Sequence, residues 1–199
     1  LFPNQLFQKS PLFENNAPFY LVEEFLFFKQ YPFHKQKIAF HRATMKRYAD
    51  FLQNEKNLEV HYVESTDKNS DIRDLVPALK ILGFDNIHYI DPVDNWLQKR
   101  LGQGLSESGI QGTQYPSPMF LNSKDDLAVF FRRDKKKYHQ TTFYKEQRKK
   151  RNILIDRDGN PVGGKWTYDT ENRKKYPAKK SPPAIQFPDV DAYYKQVTE

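Results

Sequence analysis

Three short apolar segments separated by helical patterns constrain the fold of this chain more than any other feature. Each segment is rich in β-branched or aromatic residues and is bounded by turn residues, which is typical of buried parallel strands. The three segments are Phe19–Val22, Leu58–Val63 and Asn86–Ile90. A further strand is expected to end at Leu1-Phe2, where Pro3-Asn4 turns the chain, and therefore to begin before Leu1.

The segments between these strands have the periodicity of amphipathic helices. In Lys35–Leu52 the apolar residues recur on one face at 100° per residue, and Ile72–Leu82 repeats the pattern, with Ser70 or Asp71 as a cap and Gly83 as the end. Strands and helices that alternate in units of roughly 30 residues predict right-handed crossovers. We therefore predict an α/β fold, a Rossmann-like doubly wound parallel sheet of about five strands.

The second half of the chain has weaker patterns. The predicted elements are a short helix at Asn95–Gln103, a Gly/Ser-rich loop at Gly102–Gly112, an edge strand at Tyr115–Leu121, a helix capped by Ser123, and a helix at Thr141–Lys150. Four prolines between Pro177 and Pro188 favour an extended arm beyond Asn152. The predicted division is a Rossmann-like domain over residues 1–135 and a helical and extended basic linker over residues 136–199.

The positive charge of the chain is regional. The segment from Arg132 to Lys180 holds 17 Lys and Arg against 6 Asp and Glu, a local charge of +11, so the remainder carries −4 of the net +7. Such a segment can face nucleic acid, or it can be a solvated linker or a surface that docks on an acidic neighbouring domain. The charge alone does not choose between these interpretations.

Several classes of site are not indicated by the sequence. The chain has no cysteine, which excludes disulfides, thiolate nucleophiles and Cys-ligated metals within it. Asp156–Asn160 resembles a calcium loop, but its glycine comes early and no glutamate follows at the twelfth position, so a tight turn is predicted. We predict no catalytic residue and no metal site. No run of 18 apolar residues occurs, and a cytoplasmic location is expected.

Four stretches together carry a family resemblance. They are Pro3–Leu6, Glu23-Glu24 followed by His34–Tyr48, Thr142–Arg148, and Pro161–Lys174. In their order and spacing the chain resembles the amino-terminal domain of the photolyase-related flavoproteins, the family of the iron–sulfur bacterial cryptochromes and bacterial (6-4) photolyases.

The resemblance implies a division of labour. In that family the amino-terminal domain carries an antenna chromophore, 6,7-dimethyl-8-ribityllumazine in characterised members. FAD and an iron–sulfur cluster belong to a following all-helical domain. The expected partners are therefore the protein's own carboxyl-terminal FAD domain and, through the full-length protein, DNA. The expected role is light-dependent DNA repair or blue-light sensing, and the chain is not expected to be catalytic alone.

The candidate ligand site lies where the strands end. In an open parallel sheet, the carboxyl ends of the strands border the ligand crevice. The residues expected there are Asn4, Gln5, Val22, Glu23, Phe27, Asp91 and Pro92.

Two of these positions depart from the family pattern. Family members that bind lumazine usually have acids where this chain has Asn4 and Phe27, so an altered choice of chromophore is expected. Two other classes of function stay open at this point: a free-standing nucleotide-binding enzyme or signalling domain, and a nucleic-acid-binding module.

Overall fold

The computed structural model describes residues 1–170, 172–187 and 189–198. The elements in chain order are a 3-10 helix (Pro11–Glu14), β1 (Phe19–Val22), α1 (Phe25–Phe28), α2 (Lys35–Asn54), β2 (Val60–Val63), a 3-10 helix (Lys68–Ser70), α3 (Ile72–Ile81), β3 (Asn86–Ile90), α4 (Asn95–Ser108), β4 (Gln111–Tyr115), α5 (Lys124–Phe130), α6 (Gln140–Arg151) and α7 (Ala192–Thr198).

The strands form two small parallel sheets. β1 pairs with β2 in the register Phe19↔Val60, and β3 pairs with β4 in the register Asn86↔Gln111. The fold is therefore mixed α/β, as predicted, but the described residues form two separate two-stranded sheets in place of one sheet of five strands. The first three predicted strands are confirmed, although β2 begins at Val60.

The backbone of Leu1, where the sequence predicts the end of a further strand, is hydrogen-bonded beside β1. The amino group of Leu1 donates to the Tyr20 carbonyl at 2.7 Å, and the Val22 amide donates to the Leu1 carbonyl at 2.9 Å. These two bonds are the pattern of a parallel bridge beside β1. Leu1 therefore continues the parallel arrangement on the edge of β1 that β2 leaves free.

The core divides into two clusters that lie on opposite sides of the strands. Alternate residues of a strand point to opposite faces, and in β1 Leu21 belongs to one cluster while Val22 belongs to the other. The α2 cluster joins Met45 and Leu52 of α2 to Leu21 and Ile90. The α3–α4 cluster packs apolar residues of those two helices against Val22 and against Ile87 and Tyr89 of β3. Both sheets thus share the same two helical layers.

The prediction for residues 102–121 was wrong. α4 continues to Ser108 and ends at Gly109, which has a left-handed φ of 61°. Gly104 signalled a loop, but in the structure it lets α4 approach α3, because a Cβ there would lie 3.3 Å from the Val76 Cβ. The last strand occupies Gln111–Tyr115. Proline has no amide to donate, and the prolines at 116 and 118 follow the strand.

The chain contains two compact units. The first comprises residues 1–121 together with the carboxyl-terminal segment 189–198, and the second comprises residues 122–187. The predicted domain boundary at residue 135 stays a prediction.

The prediction of an extended arm beyond Asn152 was wrong in part. In the second unit Ile155 and Pro161 form an antiparallel bridge around the predicted tight turn. In the first unit, α7 packs on α2, where the Tyr193 hydroxyl donates to Asp50 at 2.6 Å. The helix α7 was not predicted, because the prolines that precede it favour an extended chain. Among the described residues, no helix is long and apolar enough to span a membrane.

Candidate functional site

The turn at Pro3–Gln5 lies at the carboxyl end of β3. Gln5 is buried, with 2% of its surface exposed. Its side-chain amide donates to the Ile90 carbonyl at 3.0 Å and the Asp91 carbonyl at 3.3 Å, while its side-chain oxygen accepts from the Phe2 amide. Gln5 therefore fixes the first turn against the residues that follow β3.

Asn4 precedes Gln5, and its side-chain oxygen is a free hydrogen-bond acceptor. Its side-chain nitrogen donates to the Pro92 carbonyl at 3.2 Å. Its side-chain oxygen is buried and has no hydrogen-bond partner among the residues that the structure describes. A buried acceptor without a donor costs free energy. This oxygen is thus suited to accept a hydrogen bond from a ligand.

Glu23 follows β1 and is the centre of a buried hydrogen-bond network. Its carboxylate accepts two bonds from the Arg42 guanidinium, at 2.8 and 2.6 Å, and one from the Tyr62 hydroxyl at 2.7 Å. The Ser65 amide donates a further bond at 2.8 Å. Each carboxylate oxygen therefore accepts two bonds, so Glu23 has little capacity left for a ligand while this network is intact.

The network keeps Glu23 ionised. Burial raises the pKa of the Glu23 carboxyl, but hydrogen bonds from Arg42, Tyr62 and the Ser65 amide outweigh it, and the net pKa lies below the usual value. The pKa of the Tyr62 hydroxyl is raised, first by its burial and then by its bond to Glu23. The site therefore holds a fixed ion pair of Glu23 and Arg42.

The seven predicted site residues fall into two groups. Asn4, Gln5, Asp91 and Pro92 contact one another through the bonds described above. Val22, Glu23 and Phe27 belong to the region around β1, where Phe27 packs against both core clusters. None of the hydrogen bonds described above joins Glu23 to the first group. The joint ligand site remains a prediction.

Three residues of the network were missed from the sequence: Arg42, Tyr62 and Ser65. A signal for Arg42 was present, because it lies four residues after Ile38 and three before Met45, on the apolar face of α2. A charged residue on a buried face indicates a buried partner. Ser65 contributes a backbone amide, which no side-chain pattern reveals.

Glu24 is also buried and was not predicted to have a role. Its carboxylate accepts from the Leu26 amide at the start of α1. Burial raises the pKa of this carboxyl above its usual value. The two adjacent glutamates therefore have opposite pKa shifts, because only Glu23 has an arginine bonded to it.

An apolar cavity of about 130 Å³ opens between β1 and β3. It is lined from one side by Phe19, Tyr20 and Val22, and from the other by residues 86–89 of β3. We call this cavity the β1–β3 slot. Leu1 and Phe2 also line it, at the start of the chain.

The chain resembles known proteins in its amino-acid sequence. The sequence model of the family described as "Deoxyribodipyrimidine photo-lyase-related protein" matches residues 1–199. "Uncharacterized protein R852" of Acanthamoeba polyphaga mimivirus is 35% identical over 190 residues, which are 90% of this chain and 94% of the viral protein. A "(6-4) photolyase" of Agrobacterium fabrum is 28% identical over 144 residues, which are 71% of this chain and 28% of that protein.

Proposed function

Because the chain belongs to the deoxyribodipyrimidine photo-lyase-related protein family, we propose that it is the antenna-chromophore-type domain of a cytoplasmic light-dependent flavoprotein. The flavoprotein would repair DNA or sense blue light, and FAD and an iron–sulfur cluster would belong to a partner domain. The region matched in the (6-4) photolyase is only 28% of that protein, which leaves ample length for such a domain. The chain by itself would bind the antenna and transfer no electrons.

The unpartnered Asn4 side-chain oxygen is the observation that supports this proposal best. It is held at the carboxyl end of the strands, where open parallel sheets bind ligands. The ring system of 6,7-dimethyl-8-ribityllumazine carries an imide N–H that can donate to such an oxygen, and its faces need apolar walls. Val22 and Phe27 are the apolar members of the proposed site, and Phe27 offers a stacking surface in place of an acid.

The proposal predicts that the chain binds 6,7-dimethyl-8-ribityllumazine in a fluorescence titration. Asn4→Ala is expected to weaken binding about tenfold, because one hydrogen bond to a buried group contributes about 1.4 kcal/mol. The matched control is Gln53→Ala, which removes an exposed amide from α2. Equal affinity of Asn4→Ala and the wild type would remove Asn4 from the site, and no binding to the wild type would refute the antenna role.

A second candidate function is a free-standing nucleotide-binding domain. The mimivirus relative is matched over 94% of its own length, so a protein of nearly this extent exists by itself. The same titration with ATP and NAD in place of the lumazine tests this candidate. Binding of a nucleotide without binding of the lumazine would favour it over the antenna domain.

The finer fold proposal is that the two sheets are halves of one Rossmann-like sheet. Both sheets share the same two helical layers, and the β1–β3 slot separates them. Leu1 is bonded beside β1 in the parallel sense. An apolar strand joined to the amino group of Leu1 would therefore run through the slot, parallel to β1 and β3, and unite the sheets.

The buried amino group of Leu1 gives this fold proposal a pH signature. Burial lowers the pKa of the Leu1 amine from about 8 to about 5. Between these values the unfolded chain binds more protons than the folded chain, so the stability of a chain that starts at Leu1 is expected to rise from pH 5 to pH 8. The measurement is urea unfolding across this range.

Extensions before Leu1 separate the effect of the amine from that of the slot. Five residues of Gly and Ser convert the amine to an amide, which removes the Leu1 contribution to the pH dependence. Five residues of Val and Ile also convert the amine to an amide. They additionally fill the β1–β3 slot, so they are expected to stabilise the fold further. The contribution of His41, whose pKa is also lowered by burial, is common to all three chains and cancels. Equal stability of the two extended chains would refute the strand in the slot.

A further inference from the structure

The second unit contains an open groove between α6 and the segment after Trp166. Its volume is about 620 Å³. Two tyrosines line it, Tyr144 on α6 and Tyr168 on the facing segment, and about half of each side chain is exposed. The other lining residues are polar: Gln140, Thr141, Thr167, Asp169 and Asn172.

Arg148 holds the walls of this groove in place. It is 5% exposed, and its guanidinium donates to the carbonyls of Ile153, Leu154 and Trp166. These bonds tie the segment that leads to Tyr168 onto α6. The Tyr168 hydroxyl also donates to the Gly163 carbonyl at 3.1 Å. The hydrogen bonds that position the two tyrosines are therefore all within the second unit.

Lysines and aromatic residues neighbour the groove in the chain. The ammonium groups of Lys145 and Lys149 lie 5.9 and 5.1 Å from the centre of the Trp166 ring, and that of Lys165 lies 5.7 Å from the Tyr168 ring. By sequence, residues 122–187 hold 18 Lys and Arg against 8 Asp and Glu, a net charge of +10. Lys145 follows the lining residue Tyr144 in the chain, and Lys165 lies over the Tyr168 ring, while the lining itself has hydroxyl, amide and carboxylate groups.

This arrangement distinguishes among ligand classes. The Asp169 carboxylate inside the groove disfavours a free phosphate or another small anion there. Two aromatic side chains with amide and carboxylate groups between them suit a base, whose faces stack and whose edge has both donors and acceptors. The neighbouring lysines suit the phosphates that connect such bases.

We propose that this groove binds unpaired nucleotides of a single-stranded nucleic acid, with a base at Tyr144 and Tyr168 and the flanking phosphates at Lys145 and Lys149. The proposal depends only on residues of the second unit. It therefore stands apart from the antenna proposal, which depends on Asn4 in the first unit and is tested by a different ligand.

The test is fluorescence anisotropy of the full chain with a fluorescein-labelled 12-nucleotide dT strand and with a 12-base-pair duplex, over a series of salt concentrations. The wild type is expected to prefer the single strand. Tyr144→Ala combined with Tyr168→Ala is expected to weaken binding at least about fivefold with an unchanged salt slope, because stacking contributes about 1–3 kcal/mol per base. The pair Tyr144→Phe and Tyr168→Phe retains the rings and is expected to retain most of the affinity.

Charge reversals complete the test. Lys145→Glu with Lys149→Glu is expected to reduce the salt slope by about 1.4, which corresponds to two phosphate contacts on a single strand. The matched control, Lys179→Glu with Lys180→Glu, makes the same change in charge at exposed positions outside the groove. Equal losses in the two reversals, no effect of removing the tyrosines, or a preference for the duplex would each overturn the proposal. Circular dichroism confirms that each variant is folded before binding is compared.

Discussion

Replacing Arg42 by alanine is expected to lower the free energy of unfolding by about 3–5 kcal/mol at pH 7, the range for removal of one partner of a buried ion pair. The substitution leaves the Glu23 carboxylate, which is 0% exposed in the wild type, with only the Tyr62 hydroxyl and the Ser65 amide as donors. Urea unfolding of the variant and the wild type measures the loss. The hydrogen bonds to Glu23 hold α2 and β2 against the end of β1, so the loss reports on the region of the candidate site.

The pH dependence identifies the cause of this loss. In the wild type the pKa of Glu23 is below its unfolded value of about 4.5, so the stability from this carboxylate is present above that pH and disappears as the pH falls through the folded pKa. Without Arg42 the pKa of Glu23 rises, and protonation then relieves the buried charge. The destabilisation by Arg42→Ala should therefore be greatest near pH 7 and smaller near pH 4.

A second arginine in the same unit is a matched control. Arg73 also makes a bidentate pair, with Asp71, but 54% of its side chain is exposed. The Asp71 side chain is only 12% exposed, but solvent reaches the Arg73 guanidinium and screens the pair, so Arg73→Ala is expected to cost about 1 kcal/mol, less than Arg42→Ala. Similar losses for Arg42→Ala and Arg73→Ala would contradict the role of burial, as would a loss for Arg42→Ala that does not vary with pH.

Truncation of side chains on the buried face of α2 is expected to lower the free energy of unfolding by a similar amount. Met45 and Leu52 are both 0% exposed and belong to the α2 cluster. Met45→Ala or Leu52→Ala should each lower the free energy of unfolding by about 2–5 kcal/mol, through lost burial and the cavity that remains. The measurement is equilibrium unfolding in urea, with an unchanged m-value as evidence that the native state is retained.

The matched control for these truncations lies on the same helix. Gln53→Ala changes an exposed residue next to Leu52, and alanine has a high helix propensity, so stability should change by less than about 0.5 kcal/mol. A loss below about 0.5 kcal/mol for Leu52→Ala would mean that this face of α2 is not core.

The candidate antenna site and the nucleotide groove depend on different residues. The first depends on a turn and on strand ends whose polar groups are largely bonded to each other, and Asn4 supplies the available acceptor. The second depends on two half-exposed tyrosines and on the lysines at 145 and 149. A protein that binds the lumazine but not the dT strand, or the reverse, would therefore separate the two proposals.

The sequence predicted the elements whose signal is local. The periodicity of α2 and α3 specified a buried face, and the structure confirms Met45 and Leu52 on one and Val76 on the other. Ser123 was predicted as a cap, and it forms a capping box with Asp126. Such features depend on residues a few positions apart, so the printed sequence contains all of the information that they need.

Features that depend on distant residues were decided by tertiary structure. Gly104 lies in a stretch whose glycines and serines favour a loop. In the structure it belongs to α4, because α4 packs closely against Val76, which lies 28 positions earlier in the chain. The prolines favoured an extended arm, yet α7 is a helix that packs on α2, where Tyr193 donates to Asp50. No local pattern records either contact.

The candidate site shows the same division. The sequence by itself determined that polar residues follow buried strands, since Gln5, Glu23 and Asp91 each stand at the end of an apolar segment. Only the tertiary structure decided how those groups are used: Gln5 bonds the carbonyls after β3, and Glu23 is enclosed by Arg42 and Tyr62. The physical reason is that a buried polar group must find a donor or acceptor, and which one it finds depends on the packing of helices and strands far apart in the chain.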